Sequence, residues 1–298
     1  MTLWGSLVQI QRRAPFLCTF LKVARPEIST ILKLLDDESQ EVQDGIQRAL
    51  LDYHGDASDD LAALGIKLEP EDSSLLSRSL HPGRQANLKE HWSVPARGLN
   101  DPDGDWDTLE SLLRLISDFL HDGITLRPSL SDELDLLARE AEASVNTAAD
   151  LAEWLFASGR FVGNKTDLYD PRNSDLAWCL EEGKSNPLGL SLIYLLIARR
   201  IGVSVFGVNY PGHFLCLIDL EIAPILIDPY HRGRPIPVMQ LLQEHPELSK
   251  KAVEAVRRPC SLAAILSRVL ANMNLAFSKL QRFDDADLVQ DLMKTIKP

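Results

Sequence analysis

Apolar positions recur at helical spacing early in the chain. In "RPEISTILKLLDDESQEVQDGIQRALLDY", Ile28, Ile31, Leu32 and Leu35 mark one face, "DDES" interrupts it, and Val42, Ile46 and Leu50 resume at i, i+4, i+8. This predicts a helical pair over 26–64, with Ser39 as a helix N-cap. Residues 65–105 hold "LEPEDSS", "HPGRQ" and "LNDPDGD", turn-rich pieces that predict a loop-rich linker. The core stretch 106–250 opens on helices. Leu109, Leu112, Leu113, Ile116, Phe119 and Leu120 share a face that Gly123 closes, and shorter helices are expected at 131–143 and 147–157. From Leu188 to Ile201 nearly every residue is apolar, with Asn186 as N-cap, Pro187 at the first helical position and Gly202 as the stop, so this helix should be central and buried. Three short Val/Ile/Phe-rich runs, "SVFGVN", "HFLCLI" and "PILIDPY", predict consecutive strands. Helices followed by strands predict an α+β fold with an antiparallel sheet on the buried helix. Residues 255–298 return to two helices around "QRFDD".

Composition changes this picture little. At 298 residues, 45% apolar and 25% charged, the chain is ordinary for a globular protein. A net charge of −12 excludes a general nucleic-acid binder, which needs a basic surface against phosphate. Cys18, Cys179, Cys216 and Cys260 are far apart and form no C-x-x-C pair, so neither a zinc site nor a disulfide framework is expected. No run reaches the ~18 apolar residues of a membrane span. Residues 1–25 read as an N-terminal extension whose apolar stretches are broken by Gln9, Gln11, Arg12 and Arg13, unlike a signal peptide, so a cytoplasmic location is expected. The first helical pair resembles a HEAT-type unit and the last a tetratricopeptide-type hairpin. A lone unit cannot bury its own face, so each should lean on the core.

The chemistry centres on "VNYPGHFLCLIDL". His213 follows a Pro-Gly turn at the head of an apolar strand, as a catalytic base would, and as a hydrogen-bonded core histidine also would. Cys216, three residues on, should point to the opposite face by strand alternation. Cys179 sits with Leu176 on an apolar face and reads as buried and structural, and Ser185 reads as a capping residue. His213, Asp228 and His231 carry metal-ligating groups, but their spacing is unspecific, and no metal or cofactor is expected.

Four blocks in order, "FVGNKTDLYDPRNSDLAWCLEEG", "NPLGLSLIYLLIARRIGV", "GVNYPGHFLCLI" and "LIDPYHRGRPI", resemble the SirB-type transglutaminase-like family of bacteria. "ILSRVLANMNLAF" resembles the family's helix ahead of its tetratricopeptide region, and the likeness runs over about residues 27–298. The resemblance implies a papain-like transglutaminase core. In active members of that superfamily a cysteine starts the buried helix and forms a triad with a histidine and an aspartate, to which His213 and Asp228 correspond. The cysteine position falls near Pro187, where this chain has Ser185, Asn186 and Pro187 and no cysteine. The family's usual glycine and hydroxyl-bearing residue are replaced by Asn186 and Gly189. Asn186, Tyr230, His231 and Arg232 would rim an inherited cleft, while Tyr169, Asp170, Asn173 and Ser174 would shape it or serve as turn and capping residues. Two readings follow: a non-catalytic module that binds a peptide or protein, and a hydrolase or acyl-transfer enzyme with an unorthodox nucleophile.

Overall fold

The computed structural model describes residues 27–218 and 223–296; the N-terminal extension, Cys18 and the last two residues lie outside the described residues. Four helices open the fold: α1 (Ile28–Leu32), α2 (Gln40–Leu51), α3 (Ser58–Ala63) and α4 (Pro70–His91). Ser39 stands at the N-cap of α2, but its side chain makes no capping bond. The corner is held by Gln43, whose Nε2 donates to the carbonyls of Leu35 and Asp37.

The expected linker at 65–105 is corrected by α4, a helix of 22 residues. "HPGRQ" lies inside it. Pro82 is tolerated there because the buried stripe continues through it, with Leu76, Leu80, Arg84 and Leu88 at i, i+4, i+8, i+12, the Arg84 guanidinium bonded to the Gly55, Asp122 and Ser77 carbonyls. Gly83 is required by packing: a Cβ there would stand 2.7 Å from the backbone N of Gly55. Leu76 and Leu80 close the small core of Ile28, Ile31, Ile46 and Leu50, so α4 is the face on which the first helical pair leans.

Next come α5 (Trp106–Leu120), α6 (Leu130–Glu142) and α7 (Ala148–Ala152), capped by Asp105, Ser129 and Thr147; a π turn, Glu153–Ala157, extends α7. Helix α8 (Leu176–Glu182) ends on Gly183 in the left-handed region. Helix α9 (Pro187–Arg200) is buried from Leu188 to Ala198, as its nearly all-apolar run requires, and Ser191 Oγ within it donates to the Pro187 carbonyl. Two-residue strands β1 (Val162–Gly163) and β2 (Lys184–Ser185) pair in parallel ahead of it. The main sheet is antiparallel in the order β3 (Phe206–Val208), β4 (Leu215–Ile218), β5 (Ile225–Asp228), β6 (Arg234–Pro237). Cys216 opposes Ile227 and faces the core around α9, whereas Leu217 opposes Leu226 on the other face. That outer face is covered by Val238 and Val256, from α10 (Val238–Glu244) and the end of α11 (Lys250–Ala255). β6 was not expected. It carries Pro235 and Pro237, which an edge strand accepts because one side of it has no ladder to complete.

The chain ends in α12 (Leu262–Lys279) and α13 (Phe283–Thr295). Leu262, Ile265, Leu266, Val269, Leu270, Met273 and Phe277 of α12 enter the same core as α5 and α9. On α13, buried Asp285 accepts from His81 and Gln85 of α4, joining the two ends of the fold. Among the described residues no helix is long and apolar enough to cross a membrane.

Candidate functional site

The turn Tyr210–His213 places the site. The His213 amide donates to the Tyr210 carbonyl at 3.0 Å, and Gly212 takes φ +75°, where a side chain would be strained. His213 therefore sits in a turn two residues before β4, and its side chain reaches the end of β5, where Nε2 lies 2.9 Å from Asp228 Oδ1. The second oxygen of Asp228 lies 2.8 Å from His231 Nδ1, and Oδ1 also accepts from the His231 amide at 3.2 Å. With the carboxyl ionised, both imidazoles donate to it. Burial alone would raise the Asp228 pKa. The bonds and charges of His213 and then His231 outweigh it and hold the carboxyl below the ordinary 3.8.

A group depressed in the folded state stabilises the fold above its unfolded pKa, and that contribution is lost as pH falls through the folded value. Wild type should therefore exceed Asp228→Asn in unfolding free energy at pH 6, with the gap closing below about pH 3.9. Urea titrations of both chains across pH 2–7 measure this; a gap that persists at pH 2 contradicts it.

His213 opens on a cleft of about 320 Å³ lined by Leu168, Asn186, Pro187, Leu188, Gly212, Phe214, Tyr230, His231, Arg268 and Asn272 as well. Of the residues singled out in the sequence, Asn186, Tyr230 and His231 thus meet His213 here. Asn186 caps α9, accepting from the Gly189 amide at 2.9 Å. Tyr230 donates to the Asn164 carbonyl at 3.0 Å and lies against Gly163, where a Cβ would come within 2.6 Å of its ring. Arg232 does not line the cleft. It takes the left-handed conformation that ends the Pro229–His231 turn, is exposed, and lies on the side of Gly159. Tyr169, Asp170, Asn173 and Ser174 do not line it either. Asp170 caps the Pro171–Ser174 turn, and Asn173 binds the Asp167 and Asp170 carbonyls. Arg268 and Asn272 were missed as site residues. Their signal is a charged and an amide side chain one turn apart on a mostly apolar helix, but nothing local to α12 ties that face to His213.

Pro187, at the position where the resemblance places the nucleophile, shares this cleft with His213. Among the described residues no Ser, Thr or Cys lines it. Ser185 is fully buried: Oγ donates to the Asn173 carbonyl at 2.9 Å and accepts from Cys179 Sγ at 3.1 Å. Cys216 turns its sulfur toward the Ser191 carbonyl of α9 at 4.0 Å. Burial pushes the thiols of Cys179 and Cys216 well above the usual range, and that of Cys260 up to about 11, so none is held as thiolate. His213, Asp228 and His231 bring ligating atoms within 4.8 Å of one another, a donor set that zinc accepts. The two imidazole–carboxylate hydrogen bonds account for that closeness without an ion.

Comparison with known proteins places most of the site within a recognisable domain. The family model described as the transglutaminase-like superfamily matches residues 128–271, a shorter stretch than the 27–298 expected from the motifs. A UPF0162 protein of Xylella fastidiosa is 31% identical over 156 residues, covering 50% of this chain and 56% of that protein. A UPF0162 protein of Pseudomonas aeruginosa is 32% identical over 103 residues, 33% of this chain and 37% of that one. Human F-box only protein 21 is 26% identical over 193 residues, 60% of this chain and 29% of that one. The chain thus spans about half the length, or less, of these relatives. No solved structure matches. Residues 128–271 therefore carry a transglutaminase-like superfamily domain, in a chain homologous to the UPF0162 proteins.

Proposed function

We propose that the chain is a SirB-type transglutaminase-like protein that has lost its nucleophile and uses the His213 cleft to bind a peptide or protein segment without turning it over. One observation carries this reading: the His213–Asp228 pair persists in a cleft where, among the described residues, no side-chain sulfur or hydroxyl of Cys, Ser or Thr meets the imidazole. A base and its orienting carboxylate without an attacking atom cannot form an acyl-enzyme. The pair still fixes the turn before β4 to the end of β5, and with them the wall of a groove of ligand size. The HEAT-like and tetratricopeptide-like helical pairs would offer further partner surface.

Labelling tests the loss of catalysis. A fluorophosphonate and an epoxide probe should give no adduct that depends on His213 when the wild type and His213→Ala are compared by intact-mass spectrometry. An adduct on Ser185 or Cys179 that disappears in His213→Ala would establish the other reading, a hydrolase or acyl-transfer enzyme with an unorthodox nucleophile.

A further inference from the structure

We propose that the His213 cleft takes its ligand by a carboxylate seated between Arg268 and Asn272, an inference that rests on the cleft being a binding site. The two side chains stand one helical turn apart on α12 and line the same cleft. Arg268 donates Nη1 to Asn209 Oδ1 at 3.3 Å, and among the described residues it meets no carboxylate. Arg127, Arg160, Arg172, Arg200 and Arg282 are all paired with acids. Its Nε and Nη2 and the Asn272 side-chain amide have no hydrogen-bond partner among the described residues, so the α12 side of the cleft presents free donors.

Charge points the same way. The chain has 43 acidic residues, yet none of the described ones lines this cleft. The carboxylate behind it, Asp228, has both oxygens engaged by the imidazoles. The N-terminus of the 14-residue α9, whose Asn186, Pro187 and Leu188 line the same cleft, adds the positive end of a helix dipole. A guanidinium fork matches a carboxylate through two parallel bonds, and Leu168, Pro187, Leu188 and Phe214 leave an apolar wall for the body of the ligand. At about 320 Å³ the cleft suits one or two residues rather than a long segment. The ligand is thus a carboxylate-bearing peptide group, at a chain end or on an acidic side chain.

The test follows the His213 ring by side-chain 1H–15N NMR at constant ionic strength. Three probes are titrated: N-acetylphenylalanine, N-acetylglutamate α-methylamide and N-acetylphenylalaninamide. One or both acids should shift the ring with saturation and the amide should not; the acid that binds tells a chain end from a side chain. Arg268→Gln should weaken the acid about 10-fold. Arg268→Lys, which keeps the charge but not the fork, should fall between. Asn272→Ala gives a second weakened variant should Arg268→Gln fail to fold. An amide that binds as well as the acids, or an unaltered affinity in Arg268→Gln and Asn272→Ala, overturns the carboxylate proposal while leaving the cleft a binding site. If none of the three probes moves the ring, both readings fall.

Discussion

Asp285→Ala is expected to destabilise the fold by about 3 kcal/mol, the scale for breaking a buried ionic contact from one side. Asp285 is 4% exposed and accepts from three donors: His81 Nε2 and Gln85 Nε2 at 2.8 Å on Oδ1, and Arg282 Nε at 2.7 Å on Oδ2. Alanine leaves all three without their acceptor. Arg282 is 41% exposed and recovers part of its loss from water, which keeps the figure at the lower end of the range. Burial alone would raise the carboxyl. The bond and charge of His81, the bond of Gln85 and the charge of Arg282 outweigh it and hold the pKa at about 2. The contribution is therefore whole above about pH 4 and is lost as pH falls toward 2. Urea unfolding at pH 7 should separate wild type from variant, and the two should converge near pH 2. Hydrogen exchange should locate the early loss in α13 and in the half of α4 that holds His81. A variant as stable as wild type at pH 7 would show that α4 and α13 hold each other by apolar contact alone.

Gly189→Ala is the second large effect, about 3 kcal/mol by overpacking. A Cβ there would stand 2.0 Å from Ser185 Oγ and 2.9 Å from the Asn173 carbonyl oxygen. Neither can step aside cheaply. The Ser185 hydroxyl is bonded to that same carbonyl and to Cys179, and Asn173 is tied through its amide to Asn164. The volume that a side chain at 189 would fill is taken by the hydroxyl from 185, which gives the departure at Gly189 a steric reason. Thermal denaturation should show a lower midpoint for Gly189→Ala. Gly189→Ala with Ser185→Ala should recover part of it, because the clash with Oγ is relieved and the backbone contact at Asn173 remains. Full recovery in the double variant would place the whole strain on Ser185.

Much of the architecture was legible in the sequence. The almost wholly apolar run from Leu188 to Ala198, opened by Asn186 and Pro187, has few ways to fold other than as a buried capped helix. The strands β3 to β5 are short apolar runs set off by Pro-Gly and Pro, and the pairing of His213 with Asp228 was implied by the family resemblance. What the sequence hid has local causes. Pro82 and Gly83 read as a turn because the tertiary contact that makes them helical, Gly55 packed on Gly83, lies 28 residues away. Two prolines hid β6 because edge position is a property of the sheet, not of the strand. Arg268 and Asn272 reach the cleft from a helix more than 50 residues beyond His213 in the chain, and only the packed core makes them neighbours.

That last feature separates what can be recognised from what can stand alone. The recognisable domain stops at residue 271, inside α12, one residue short of Asn272 and ahead of the buried Met273 and Phe277. A fragment cut there would lose Asn272 from the cleft wall, leave Arg268 on a truncated helix and expose the underside of the core. A deletion from 255 onward would do more of the same, so lost binding in either would report collapse of the cleft and not removal of a separate docking module. Single substitutions on the exposed side of α13 are the cleaner way to ask whether its outer surface meets a partner.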